Sequence, residues 1–193
     1  MPATQPTELT LFRHRSVEYF TPSIYIDAAR EVMGGIDLDP ASCEEAQQTV
    51  KAKWWYGGTE VDGLSQPWYL PHPDGRITPL RVWLNPPYCK TGCRSNQDIW
   101  YRKLYGAYIC GHVSEAIMLV KAALGYKWFE QLWRRHWCCF CRERIAFIKP
   151  GGRTVGLAKQ GSVFVYFGKR PERFAEVFAR FGRLVPPEAF HGD

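Results

Sequence analysis

Leu80-Arg81-Val82-Trp83-Leu84-Asn85-Pro86-Pro87-Tyr88 reads as a strand that stops abruptly on a polar residue. Residues 80–84 are mostly apolar, as in a strand covered on both faces. The two prolines remove two backbone donors and fix the local φ, so the chain leaves the sheet at this point. The carbonyls of Asn85 and Pro86 therefore lack routine ladder partners and project into a cleft. The Asn85 side-chain oxygen beside the Pro86 backbone oxygen makes a two-acceptor clamp for an NH2 group. Tyr88 adds a flat face on which a ring can stack, worth about 1–3 kcal/mol per base.

Outward from this strand, helices and strands alternate. Thr21 as N-cap and Pro22 at the first helical position open a helix that stops at Gly34-Gly35. Residues 36–39 form a short strand. Ser42 and Glu45 form a capping box that opens a helix running towards Trp54, which Gly57-Gly58 breaks. A short strand ends at Val61-Asp62, and the proline-rich stretch 67–79 is a loop. Residues 89–97 are a polar loop. Ile99, Lys103, Leu104 and Ala107 then fit a helix. A buried strand is predicted at 116–120 and an aromatic helix at 126–137. Strands at 140–148 and 162–167 flank the Pro150-Gly151-Gly152 turn. Pro171 starts a last helix whose Phe174, Val177, Phe178 and Phe181 form one core-facing stripe ending at Gly182.

This alternation predicts an α/β sandwich with a mostly parallel sheet, helices on both faces, and a single domain over residues 1–193. Ligands of such folds bind at the carboxyl ends of strands. Asp37 and Asp39, Asp62, and Asn85 all fall at predicted strand ends, with positions 39, 62 and 85 spaced 23 residues apart. The spacing is close to one strand–helix unit and brings these polar ends to one crevice.

The chain has 193 residues, of which 46% are apolar and 15% aromatic, enough for a substantial core and incompatible with wholesale disorder. No apolar run approaches the roughly 18 residues of a membrane span. Residues 1–11 lack a basic start followed by an apolar stretch, so the expectation is a soluble intracellular protein with no membrane partner. The formal charge of +6 suggests a polyanionic partner. Residues 134–153 hold six cations, including Arg134, Arg135, Arg142 and Arg144, against the single anion Glu143. Seven cysteines, three of them in the run Cys138-Cys139-Phe140-Cys141, make a poor disulfide framework. Cys89, Cys93, Cys110, His112 and His136 could supply metal ligands, but without paired C-x2-C knuckles buried free thiols are the favoured reading and no metal is expected.

Asn-Pro-Pro-Tyr resembles the catalytic motif of amino-group methyltransferases that use S-adenosylmethionine. More of the chain is similar to a narrower group, the phage and prophage DNA adenine methyltransferases of Dam type. Tyr19-Phe20-Thr21-Pro22, Asp37-Leu38-Asp39-Pro40-Ala41, Asp62-Gly63-Leu64 with Trp68, Trp128-Phe129, and Arg144-Ile145 with Phe147 follow the order of that family over residues 17–168. The resemblance implies a Rossmann-like methyltransferase sandwich that methylates the adenine amino group in double-stranded DNA. It implies a phage or prophage role in the cytoplasm of a bacterial host, in the setting of restriction and modification. Asn85, Pro86, Pro87 and Tyr88 would be catalytic. Tyr19, Thr21, Pro22, Asp37, Asp39, Pro40 and Asp62 would hold the cofactor, with Asp37 or Asp39 on its ribose and Asp62 on its adenine amino group. The Gly-rich loop of common adenine methyltransferases is replaced here by Ser42-Cys43-Glu44-Glu45, a shortened form that the narrower family shares.

For DNA contact the candidates are Lys90, Arg94, Arg134, Arg135, Arg142 and Arg144, with residues 89–110 as a target-recognition insertion. Two alternatives stand beside this reading. One is methylation of another amino acceptor: a cytosine amino group, RNA or a glutamine amide. The other is a non-catalytic zinc- or DNA-binding module.

Overall fold

Val82 and Leu84 point to one side of the central sheet and Trp83 to the other, so the sheet builds two separate apolar cores. The computed structural model describes residues 19–57, 61–88, 90–91, 94–152 and 157–188. In chain order the elements are α1 (Ser23–Met33), β1 (Leu38–Ser42), α2 (Glu44–Val50), β2 (Trp54–Gly57), β3 (Tyr69–Pro71) and β4 (Ile77–Leu84). A small hairpin follows, β5 (Lys90–Thr91) and β6 (Arg94–Ser95), and then α3 (Asn96–Ile109) and β7 (Val113–Lys121). The remainder is α4 (Lys127–Arg135), β8 (Trp137–Cys141), β9 (Ser162–Phe167), α5 (Pro171–Phe178) and β10 (Gly182–Val185).

One core lies under α3 and α4, where Trp100, Leu104, Phe129 and Leu132 meet Met118 and Val120 of β7 and Val165 of β9. The other lies under α1 and α5, where Ile26, Ala29, Val32, Phe174 and Phe178 meet Ile117, Leu119 and Phe164. The alternation along β7 and β9 is what a sheet buried on both faces requires. The result is a three-layer α/β architecture.

The sheet order is β10-β8-β9-β7-β4-β1-β2, with β3 antiparallel on β4. β2, β1, β4 and β7 run parallel, whereas β7/β9, β9/β8 and β8/β10 are antiparallel. The expected mostly parallel sheet is therefore corrected to a mixed one. Alternating hydrophobicity reports the face a residue takes and not the direction of its strand. Only the half built from β2, β1, β4 and β7 is parallel, and that half carries the cavity described below.

Several local expectations are also corrected. α1 begins at Ser23 with Pro22 as N-cap, because the Thr21 hydroxyl is engaged elsewhere. The Ser42/Glu45 capping box does not form. Cys43 is the N-cap of α2, Ser42 Oγ accepts from Gln47 at 2.6 Å, and Glu45 Oε1 accepts from the Gly151 N–H at 2.7 Å. The helix towards Trp54 ends at Val50, and residues 54–57 are the edge strand β2, while Val61-Asp62 is not in a strand. The stretch 67–79 holds β3 and the start of β4, a hairpin rather than a loop. β8 ends at Cys141, short of Ile148, and β10 forms where no strand was expected. Of the stretch assigned to an insertion, residues 96–109 form the core helix α3, which leaves only the hairpin outside the core layers.

Candidate functional site

Along the sheet, the chain moves from β1 outward to β2, then returns past β1 to β4 and on to β7. The direction of travel reverses between β1 and β4, which makes the gap beyond their carboxyl ends the crevice where open α/β sheets bind ligands. Asp39 stands in β1 one residue past the Leu38–Val82 pair with β4, and Asn85 follows β4. A cavity of about 310 Å3 opens at this place, within the size range of small-molecule sites. Its wall includes Tyr19, Thr21, Asp39, Pro40, Asp62 and the whole of Asn85 to Tyr88. Nine of the eleven residues assigned to catalysis or cofactor holding thus share one cavity.

Asn85 is oriented by the segment that precedes α1. Its Nδ2 donates to the Tyr19 carbonyl at 3.3 Å and to Thr21 Oγ1 at 3.2 Å. A backbone carbonyl can only accept, so the NH2 end of the amide must face Tyr19. Oδ1 is thereby turned the other way, where the Tyr88 hydroxyl donates to it at 2.7 Å. Burial holds the Tyr88 phenol well above its usual pKa, so it stays a neutral donor. Its ring meets Phe147 edge-on, with centroids 6.1 Å apart. Pro86 is buried, and no donor among the described residues reaches its carbonyl oxygen.

Asp39 is 3% exposed, with no cation paired to it among the described residues. Burial pushes its carboxyl up to about 7, against the opposing hydrogen bonds of Ser42, Ala41 and Gln47. The Gln47 contact is 3.0 Å, and the Ala41 N–H is a long 3.4 Å from Oδ1. Such a carboxylate retains unused acceptor capacity towards the cavity. Asp62 is exposed on the opposite lip. Its Oδ1 accepts from the Leu64 N–H at 3.0 Å in a tight turn, which leaves Oδ2 open.

Asp37 behaves differently. It immediately precedes β1 and takes a bidentate pair from Arg81, at 2.7 and 2.9 Å, with Lys53 at 2.9 Å. These cations hold its carboxyl far below the ordinary carboxylate range, the Arg81 hydrogen bond foremost. Arg81 also donates to the Met33 carbonyl at the end of α1. Asp37 is a brace between α1, β1 and β4, away from the cavity wall, and Pro22 likewise lies outside that wall as the cap of α1.

The cationic candidates do not form one face. β8 runs parallel to β7, so Arg142 and Arg144, which follow β8, stand at the cavity edge of the sheet. Arg134 and Arg135 close α4 immediately before β8 and therefore sit at the opposite edge. There Arg134 pairs with Glu188 and Glu130, and Arg135 lies over the Tyr105 ring. Lys90 and Arg94 are in the hairpin, and their side chains lie outside the described residues.

No cluster of three or more metal-ligating side chains occurs among the described residues, and Cys89 and Cys93 lie outside them. Cys138 and Cys139 are buried thiols, and burial pushes Cys139 up to about 12.

Four further residues shape the cavity. Trp83 and Trp100 line it from β4 and α3. A Cβ at Gly57 would come within 1.8 Å of the Ser42 carbonyl oxygen, and one at Gly63 within 1.9 Å of the Pro40 carbonyl oxygen. Only glycine lets these two segments lie so close to β1. Gly57 could be read only as a helix breaker, and Gly63 only as part of the family string, because such proximity is a tertiary property.

No family model matches the chain, and no curated protein matches it.

Proposed function

We propose that the protein is an S-adenosylmethionine-dependent methyltransferase, of Rossmann-like α/β type, that acts on the exocyclic amino group of adenine in double-stranded DNA. The observation that carries this reading is that one cavity at the β1/β4 reversal is lined both by an amide whose NH2 end is fixed towards Tyr19 and Thr21 and by a buried carboxylate with no counter-ion among the described residues. The residues present fit the cofactor. Asp39 has acceptor capacity for a ribose diol, Asp62 Oδ2 for an adenine amino group, and the segment from Tyr19 to Thr21 lies beside the reacting end. When bound, the cofactor supplies an electrophilic methyl group on sulfur.

The work left to the protein is alignment. An adenine amino nitrogen is a weak nucleophile because its lone pair is delocalised into the ring. Asn85 Oδ1 and the Pro86 carbonyl would accept its two N–H bonds and turn the lone pair towards the methyl carbon. As the amine takes the methyl group that the cofactor would supply, one nitrogen-bound proton would leave to water. Thr21 and the Tyr19 carbonyl keep the amide from flipping. Extrusion of the base costs a few kcal/mol, which stacking in the pocket offsets. Arg142 and Arg144, at the cavity edge, are placed to meet phosphates.

The test is incubation with methyl-labelled cofactor and unmethylated duplex DNA, followed by nucleoside analysis. Label in N6-methyladenine, with turnover in Asn85→Ala reduced by about a hundredfold and cofactor binding retained, is the expected result. Label in no nucleoside, or in protein alone, rejects the proposal.

A further inference from the structure

Lys121 is the last residue of β7, and its backbone N–H donates to the Gln97 side-chain oxygen at 2.8 Å. That bond anchors the residue at the cavity edge of the sheet. Its Nζ lies 4.6 Å from the centroid of the Tyr88 ring. The side chain is half-buried, and no carboxylate among the described residues pairs with it. Burial draws its pKa below that of an ordinary lysine. A ring face compensates a desolvated ammonium less well than an anion does.

The same ring carries the hydroxyl that donates to Asn85 Oδ1. Ammonium, ring, hydroxyl and amide therefore form a continuous chain. Two of its positions are ones a nucleotide would claim: the ring face suits a stacked base, and Oδ1 suits an exocyclic amine. A nucleotide also brings the anion that Lys121 lacks, because each base arrives with flanking phosphates.

We propose that Lys121 contacts the substrate directly, pairing with a phosphate of the nucleotide that enters the cavity. The proposal rests on the methyl-transfer reading above and names a residue that reading does not use.

The experiment compares the wild type with K121M and K121R. Duplex binding is followed by fluorescence anisotropy across a salt series, and methyl transfer by steady-state kinetics. In K121M the slope of log K against log salt falls by about 0.9, the value of one phosphate contact. KM for DNA rises about tenfold, equivalent to one lost charge-assisted bond, and affinity for S-adenosylhomocysteine is unchanged. K121R restores the slope and most of KM. A folded, active K121M with wild-type slope and KM overturns the role of Lys121 alone. Loss of thermal stability and kcat with an unchanged slope marks a structural lysine and overturns it equally. K121Q serves as the neutral variant if K121M does not fold. Absence of methyl transfer to DNA by the wild type removes the methyl-transfer reading and this proposal together.

Discussion

The pH dependence of cofactor binding follows from Asp39. A ribose diol offers two hydroxyl donors, and only the ionised carboxylate accepts from both. Burial pushes this carboxyl up to about 7, so the free protein holds it protonated below neutral pH. Affinity for S-adenosylhomocysteine should be constant above about pH 8 and should fall about tenfold, or 1.4 kcal/mol, for each pH unit below 7. Isothermal titration between pH 5.5 and 8.5 measures this directly. No histidine lines the cavity among the described residues. In Asp39→Asn the affinity should be weak and independent of pH. The stability of the free protein carries the opposite sign. A carboxyl whose folded pKa is raised binds more protons folded than unfolded, so stability falls as pH rises from about 4 to about 7. The penalty at pH 8 is at most about 4 kcal/mol. Asp39→Asn should therefore raise the thermal midpoint of the free protein at pH 8 and not at pH 4. Wild-type affinity that stays flat from pH 8.5 to 5.5 would refute the assignment of Asp39 to the ligand's hydroxyls.

Thr21→Val leaves the Asn85 amide held by the Tyr19 carbonyl alone; kcat should drop about tenfold, the loss of one buried hydrogen bond, a larger loss than that of cofactor affinity in the same titration. Gly63→Ala forces a Cβ against the Pro40 carbonyl and should lower the midpoint in calorimetry by about 5 °C or more; an unaltered midpoint would show that the Asp62 turn can move away from β1. Asp37→Asn should destabilise the protein at pH 7 by roughly 2–3 kcal/mol in urea unfolding, because Arg81 and Lys53 lose their counter-ion. The sign of its pH dependence is the reverse of that for Asp39: a lowered carboxylate pKa contributes stability above about pH 4 that is lost as the pH falls further, so the variant and the wild type should converge in acid.

What was legible in the sequence was mostly punctuation. Two prolines after an apolar run mark the end of β4, and Asp39 and Asn85 line one cavity, as polar residues of neighbouring parallel strands do at a reversal of strand order. Thr21 shows the limit of such local rules. A threonine before a proline has the pattern of a helix cap, and the same hydroxyl instead holds an amide 64 residues away. Asp37 and Asp39 lie two residues apart at the start of β1, so periodicity cannot separate them; the difference comes from Arg81 and Lys53, which only the fold brings alongside Asp37. Arg134 and Arg142 belong to one cationic run, but a strand of five residues spans roughly 17 Å and carries them to opposite edges. The antiparallel half of the sheet was illegible for a related reason, since β9 inserts between β7 and β8 through contacts far apart along the chain.

The pairing of Leu38 with Val82 acts as a ruler. It sets the lateral distance between the β1 strand that carries the carboxylate and the β4 strand that the amide follows at a single interstrand step, about 4.8 Å. Loops around the rim can lengthen, change charge or acquire new side chains while that step stays the same, so, on the proposed reading, the fit to different bases or flanking sequences would drift without the carboxylate and the amide moving apart.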